Sequence, residues 1–135
     1  MTDLSIVIVN YNTKKLVIDC LNSIKDENMN LEVIVVDNGS KDGSQKELDK
    51  YKSENNNLKL KIIKNKKNLG FSKANNLGIN ASLGKYILLL NSDTKICEGA
   101  LNNLLDFAKD TSEAGVIGAR SVSYTHLTLP TTPYV

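Results

Sequence analysis

The sequence predicts an α/β protein built on a largely parallel β-sheet with helices on both faces. Short apolar runs rich in β-branched residues match strands that are buried on two faces. These runs alternate with segments in which apolar residues recur every three or four positions, as on one face of a helix. The resulting order β-α-β-α-β-α-β-α-β, joined by right-handed crossovers, is typical of a Rossmann-like sheet.

Five segments are predicted to be strands. Residues 4–9 and 31–36 are apolar and β-branched, which predicts central strands, and residues 86–90 have the same character. Residues 58–63 alternate leucine and isoleucine with lysine in a half-exposed pattern that is typical of a sheet edge. Residues 116–119 form a weaker fifth run.

Four helices are predicted between these strands. Thr13 and Ser44 have side chains suited to capping the first and second helices, and Gly84 is placed to end the third in a left-handed turn. The apolar positions that define the four helices are Leu16, Cys20, Leu21 and Ile24; Leu48 and Tyr51; Phe71, Ala74, Leu77 and Ala81; and Leu101, Leu104, Leu105 and Ala108.

Length, composition and charge narrow the function classes. The chain has 135 residues, 41% hydrophobic and 24% charged, so one globular core is expected. Its net charge of +2 includes no basic stripe interleaved with aromatic residues, so no nucleic-acid partner is expected. No apolar stretch is long enough to span a membrane, and the first residues do not resemble a signal peptide. We expect a cytoplasmic protein, and a place at the inner face of the membrane stays open for its full-length form.

Cysteine and histidine usage gives no sign of a disulfide framework or a zinc site. Cys20 and Cys97 have no ligand-like spacing, and the chain has a single histidine. Both cysteines are expected to be inert buried thiols.

Polar residues follow three of the predicted strands, at 10–12, 37–40 and 91–94. In an open α/β sheet the ligand crevice lies outside the carboxyl ends of the strands, where the strand order reverses. No G-x-G-x-x-G turn follows the first strand and no P-loop motif occurs, which argues against a dinucleotide-binding dehydrogenase and a P-loop NTPase. A bound phosphate would need another neutralising group.

Asp93 is the candidate for that role, because a carboxylate at a strand end can hold a divalent cation that bridges phosphate oxygens. The alternative is that Asp93 only bonds backbone amides in a turn. Asp37 has the same two interpretations, as a turn residue or as an acceptor for donor groups of a nucleobase or ribose. Tyr11 either stacks on a base or packs against the protein.

Residues 68–78 are difficult to explain as scaffold alone. Asn75 and Asn76 are modest helix formers inside a short predicted helix, and such local conflicts with the fold are typical of functional sites. Gly70 would permit close approach of a ligand to the backbone. Lys73 would either offset diphosphate charge or face solvent.

Four ordered blocks, at residues 5–12, 33–40, 68–76 and 88–94, resemble the family-2 glycosyltransferases, which have a GT-A fold. The resemblance implies a nucleoside-diphosphate sugar donor, a divalent cation (Mg or Mn) and transfer to an acceptor hydroxyl with inversion. The motif combination looks most like the rhamnosyltransferase-like branch, which builds bacterial cell-surface polysaccharide and would use dTDP-rhamnose. The acceptor would be a saccharide or a lipid-linked saccharide.

Carried over by position, the resemblance gives each matching residue a role. It implies that Asp93 holds the metal, although Asn91 stands where many relatives have a second aspartate, which puts tight metal binding in doubt. The residues implied to bind the nucleotide or the donor are Asn10, Tyr11, Asp37, Asn38, Gly70, Lys73, Asn75, Asn76 and Ser92.

The composition changes abruptly after Ser121. Residues 122–131 resemble one reading frame of a transposon-derived sequencing adapter, so residues 1–121 are interpreted as the nucleotide-sugar-binding part and 122–135 as a non-native tail. A strand over 121–129 is the alternative. The catalytic base of the family lies further along the chain than this, so we expect a donor-binding fragment with little activity of its own.

Two other functions stay open. One is a nucleotide-binding module without chemistry, which the missing second carboxylate would permit. The other is a sugar-phosphate nucleotidyltransferase, although residues 10–13 lack the glycine-rich, basic loop that usually follows the first strand of such enzymes.

Overall fold

A computed structural model describes residues 1–119 of the chain. Within this range strands and helices alternate, as the sequence predicts. The elements are β1 (Leu4–Asn10), α1 (Lys14–Ile24), β2 (Leu31–Asp37), α2 (Ser44–Glu54), β3 (Leu60–Lys64), α3 (Phe71–Asn80), β4 (Tyr86–Asn91) and α4 (Ala100–Asp110).

The four strands form one parallel sheet in the order β3-β2-β1-β4. The chain moves outward from β1 to β2 and β3, then crosses back to place β4 on the other side of β1. This reversal creates a switch point between β1 and β4, where the carboxyl ends of parallel strands open a crevice. The predicted α/β class and parallel sheet are confirmed.

The helices that connect the strands, α1 to α3, pack on one another or on the sheet. α1 and α2 contact each other, and α2 contacts β3. α3 follows the reversal and packs on β1 and β2. Gly78 makes this approach possible, because a Cβ there would lie 2.3 Å from Val7 Cγ1 and 3.3 Å from Val36 Cγ2.

Four of the five predicted strands are present, but the sheet position of β4 and the fifth strand are wrong. β1 and β2 are central and β3 is an edge strand, as predicted. β4 was expected to be central, yet it lies at the other edge of the described sheet, with Ile87 and Leu89 exposed. Its apolar run does not lead to full burial, because α3 packs on β1 and β2 instead. Residues 116–119 form no strand, and Val116 is 92% exposed.

Three of the predicted helix-face positions are wrong. Leu16, Phe71 and Leu77 are exposed. On α1 the buried face includes Val17 instead of Leu16. On α3 the buried residues are Ala74, Asn75 and Gly78, and the helix approaches the sheet most closely at Gly78.

The predicted caps also need correction. Thr13 precedes α1 but makes no capping bond, because its hydroxyl donates to Asn10 instead. Ser44 is the first residue of α2, and its backbone N–H donates to Asp42 Oδ1 at 3.0 Å. α3 ends at Asn80 with Ala81 as its C-cap, so Gly84 does not end the helix, and its φ is not positive. A glycine is needed at position 84 because a Cβ there would lie 2.6 Å from Ser5 N.

At the amino ends of the strands lies a cluster centred on the buried Glu32, which sequence reasoning missed. Glu32 is 3% exposed and accepts bonds from Ser5 Oγ at 2.6 Å and Leu83 N at 2.7 Å, and Lys61 Nζ lies 3.1 Å from its other oxygen. Burial opposes ionisation of Glu32, but these three partners outweigh it and hold its pKa below the ordinary value.

The chain divides into two compact units, and residues 1–97 contain the whole sheet with α1 to α3. The second unit begins at Glu98, and its described helix is α4, in which Leu101 and Leu105 are buried. Cys20 is buried as predicted, but Cys97 is exposed, which corrects the expectation of two buried thiols. The predicted tail, 122–135, lies outside the described residues.

Candidate functional site

The carboxyl ends of β1 and β2 are joined by a buried carboxylate. Asn10 and Asp37 are paired in register and fully buried, and Asn10 Nδ2 donates to Asp37 Oδ1 at 2.8 Å. Asp37 also accepts from Ser40 Oγ at 2.7 Å, from Ser40 N at 2.9 Å and from Gln45 Nε2 at 2.8 Å. Its two oxygens therefore receive four hydrogen bonds from neutral groups of the protein. These include the turn bonds that Asp-Asn-Gly-Ser predicts.

Asn38 joins the end of β2 to the segment that precedes α3. It is 2% exposed, and its Nδ2 donates to Asn68 Oδ1 at 2.9 Å and to the Gly70 carbonyl oxygen at 3.3 Å. Its Oδ1 accepts from Leu69 N at 3.0 Å and from Asn65 Nδ2 at 3.1 Å. This side chain thus brings β2 and α3 to the same end of the sheet.

The end of β4 is tied to β1 through a pair of hydroxyls. The Thr13 hydroxyl donates to Asn10 Oδ1 and lies 3.0 Å from Ser92 Oγ. Ser92 and Asp93 lie in a turn that is closed by a bond from Thr94 N to the Asn91 carbonyl oxygen at 3.2 Å. Residues 91–94 therefore form a turn, but the Asp93 carboxylate does not bond its backbone amides, so that part of the turn interpretation is wrong.

The α1 residue Cys20 packs against this turn. Cys20 Sγ lies 4.0 Å from the Asn91 carbonyl oxygen and 3.9 Å from Thr94 Oγ1. Burial and the nearby charge of Asp93 raise the pKa of the Cys20 thiol to about 11. The thiol is therefore protonated near neutral pH and acts as a small apolar support.

Asp93 itself is exposed, and within residues 1–119 its carboxylate accepts no hydrogen bond. No cluster of three or more His, Cys, Asp or Glu side chains that could hold a metal ion occurs in this part of the chain. A lone carboxylate fits a cation that takes its remaining ligands from phosphates and water, as Mg²⁺ commonly does. It does not fit a cation held by the protein alone.

The first turns of α3 offer four of the predicted residues. Gly70 precedes the helix with φ 89°, and the space that its Cβ would fill is open. Lys73 and Asn76 are exposed. Asn75 is 5% exposed, and its Nδ2 is the one buried side-chain nitrogen or oxygen of the described residues without a hydrogen-bond partner. A buried donor in this state costs about 1–3 kcal/mol unless a ligand or water accepts its bond.

Tyr11 lies on the solvent side of the β1–α1 loop and is 45% exposed, so its ring is accessible. Asn12 follows with φ 52° and fixes the loop, because its N–H donates to Ser40 Oγ at 2.8 Å and its Oδ1 accepts from Lys41 N at 2.8 Å. The loops after β1 and β2 are thereby locked together.

Hydrogen bonds thus connect Asn10, Asp37 and Ser92, and a second set connects Asn38 to Gly70. Gln45 and Asn65 belong to these networks but were not predicted. Gln45 lies in the first turn of α2, where no sequence motif marks a glutamine as a site residue. Its Nε2 also donates to the Asn65 carbonyl oxygen at 3.3 Å.

None of the helices in residues 1–119 has the length and apolar character needed to cross a membrane.

Similar proteins are found both by sequence and by structure. The chain is 32% identical over 116 residues to the glycosyltransferase GlyG of Streptococcus pneumoniae, covering 85% of this chain and 38% of that protein. It superposes on S. aureus TarS 1–349 in complex with UDP-GlcNAc with a TM-score of 0.73 and 27% identity, over 82% of this chain and 32% of that one. A mannosyltransferase of Pyrobaculum calidifontis, in complex with GDP-Man and Mn²⁺, shares the fold with a TM-score of 0.76 at 21% identity, over 86% of this chain and 34% of that one.

The chain therefore spans about a third of the length of these relatives. Its fold is the GT-A fold of these transferases. The family model described as glycosyl transferase family 2 matches residues 5–133, and the chain belongs to that family.

Proposed function

We propose that the complete protein transfers a sugar from a nucleoside-diphosphate sugar to an acceptor hydroxyl with inversion, and that residues 1–97 bind the donor. The observation that carries this proposal is the meeting of the β1, β2 and β4 ends at the switch point, joined by the network of Asn10, Asp37 and Ser92. Membership of glycosyl transferase family 2 supports the reaction class.

Six residues of the site have a task in this proposal. Tyr11 stacks on the nucleobase. Gly70 leaves room for the donor beside the backbone, and Lys73 offsets diphosphate charge. Asn75 donates its unpartnered N–H to the donor, and Asn76 lines the same pocket. Ser92 contacts the diphosphate next to Asp93.

Asp93 would hold a divalent cation, Mg or Mn, together with the diphosphate of the donor. When bound, such a cation stabilises negative charge on the departing nucleoside diphosphate. The role of Asp93 is to place a carboxylate at the end of β4, where the turn at residues 91–94 fixes its backbone. The presence of Mn²⁺ in the related mannosyltransferase supports the use of a cation.

The donor to test first is dTDP-rhamnose, because the motif combination resembles the rhamnosyltransferase-like branch. UDP-GlcNAc and GDP-Man are the alternatives, since TarS and the Pyrobaculum mannosyltransferase bind them. For the full-length protein we propose a saccharide or lipid-linked saccharide acceptor, a role in bacterial cell-surface polysaccharide and a place in the cytoplasm or at the inner face of the membrane.

Calorimetric titration of the chain with UDP, GDP and dTDP, with and without Mn²⁺, tests the proposal. We expect binding of at least one nucleotide, strengthened about tenfold or more by Mn²⁺, and loss of the Mn²⁺ effect in Asp93→Ala. Asp26→Ala, an exposed aspartate after α1, is the matched control and should behave as the parent. Equal affinity with and without Mn²⁺, unchanged by Asp93→Ala, would exclude the metal assignment.

A nucleotide-binding module without chemistry is the second candidate. It is favoured by the donor set around Asp93, since residues 1–119 contain no group of three or more His, Cys, Asp or Glu side chains that could hold a metal ion. Nucleotide binding with no response to Mn²⁺, and no sugar transfer by the full-length protein, would support this candidate over the transferase.

A further inference from the structure

Asn38 has no hydrogen-bonding capacity left for a ligand. An amide side chain has two donor hydrogens and two acceptor lone pairs. In Asn38 the two amide hydrogens are donated to Asn68 Oδ1 and the Gly70 carbonyl oxygen. The two lone pairs of its Oδ1 accept from Asn65 Nδ2 and Leu69 N. A direct bond to a nucleobase would require one of these four bonds to break.

The groups that Asn38 holds set the start of α3. They lie at both ends of the segment 65–70, which connects β3 to α3. The Gly70 carbonyl oxygen, one of these partners, also accepts the first hydrogen bond of the helix from Ala74 N at 3.2 Å. The geometry of Asn38 therefore determines where the first turn of α3 lies, including Lys73 and Asn75.

We propose that Asn38 is a positioning residue: it does not touch the donor, but it fixes the segment 65–70 and thereby places the α3 residues that bind the donor. This inference rests on the proposed function, because it assigns donor contacts to α3. It differs from the role that position in the family implies, which is a direct contact with the nucleoside.

Asn38→Asp separates the two roles. The carboxylate keeps an acceptor for Leu69 N and Asn65 Nδ2 but turns an oxygen towards the Asn68 and Gly70 oxygens, where the amide donates. Positioning predicts that UDP, GDP and dTDP all weaken by the same factor, about ten- to hundredfold, and that amide hydrogen exchange at Leu69, Gly70 and Ala74 accelerates. A direct contact predicts a loss that depends on the base.

Asn65→Ala provides the second variant, because it removes a partner of Asn38 and leaves Asn38 itself intact. Positioning predicts a smaller, equal loss of affinity for the three nucleotides. A direct contact predicts unchanged affinity, since the carbonyl of Asn38 is then less occupied. Asn56→Asp, an exposed residue in the α2–β3 loop, is the matched control for added charge and should match the parent.

The pH dependence gives a readout that a general loss of stability would not produce. Protonation of the introduced carboxyl restores one donor towards Asn68, so the ratio of the variant and parent dissociation constants should shrink as the pH falls from 8 to 5. A base-dependent loss in Asn38→Asp, or unchanged affinity in Asn65→Ala, would overturn the proposal. If the parent binds none of the nucleotides, the proposed function fails, and unchanged amide exchange in both variants would independently reject the positioning role.

Discussion

Gly78 lies where α3 approaches the sheet most closely, and Gly78→Ala tests how tightly that contact is packed. The new methyl group would lie 2.3 Å from Val7 Cγ1 and 3.3 Å from Val36 Cγ2. Both valines are fully buried on adjacent central strands, so neither side chain can move away freely. The helix must therefore shift outwards or the valines must adopt strained rotamers.

The expected cost follows from two opposing terms. Overpacking a close-packed core costs about 1–3 kcal/mol, and the short distance to Val7 puts this site near the upper end. Replacing a glycine by alanine inside a helix returns about 1 kcal/mol through helix propensity. The free energy of unfolding should therefore fall by about 2 kcal/mol. A loss of this size corresponds to a decrease in Tm of roughly 5–10 °C for a domain of this length.

Urea denaturation followed by circular dichroism measures this change, with Gly115→Ala as the control because nothing lies within 4 Å of its Cβ position. Val7→Ala in the Gly78→Ala background makes room for the new methyl group. The double variant should therefore lose less stability than the sum of the two single variants. Strict additivity, or a stabilised Gly78→Ala protein, would refute the reasoning about the close contact.

Three further outcomes can be measured on the same chain. Glu32→Gln should lower the free energy of unfolding at pH 7 by about 1–3 kcal/mol. Because the pKa of Glu32 is depressed in the folded state, the difference in the free energy of unfolding between variant and parent should shrink as the pH falls below 4.5. Denaturation measured at a series of acidic pH values checks this. Asn75→Leu should raise Tm and weaken nucleotide binding, because it removes an unpartnered buried donor, whereas Asn80→Leu on the exposed face should leave binding unchanged. In a Cys97→Ser background, a thiol reagent at pH 8 should label Cys20 only after denaturation, since its pKa is about 11; rapid labelling of the native protein would contradict this burial.

The sequence was sufficient for the fold class and for the edge position of β3, because hydrophobic periodicity reports burial directly. It located β4 but was wrong about the position of that strand in the sheet and about the buried face of α3, because burial there depends on which neighbour covers the element. Phe71 and Leu77 follow the helical period, yet α3 turns Gly78 and Asn75 to the sheet because the backbones approach closely. A pattern of apolar residues cannot reveal a contact that small residues make.

For the site, the sequence motifs predicted the location but not the environment of each residue. The strand-end motifs correctly marked where polar side chains gather, but neighbouring residues within them have different environments. Asn10 and Asp37 are fully buried, whereas Tyr11 is exposed.

At the end of β1 successive residues point in opposite directions, so Asn10 faces inwards and Tyr11 faces solvent. At the end of β2 both Asp37 and Asn38 are buried, because the segment 65–70 covers Asn38. The inward residues satisfy one another and hold the loops, which reduces the reorganisation needed when a ligand binds. Substitution of the exposed Tyr11 should therefore change the affinities for nucleotides with different bases by different factors. Substitution of Asn10 should lower the affinity for all nucleotides by the same factor.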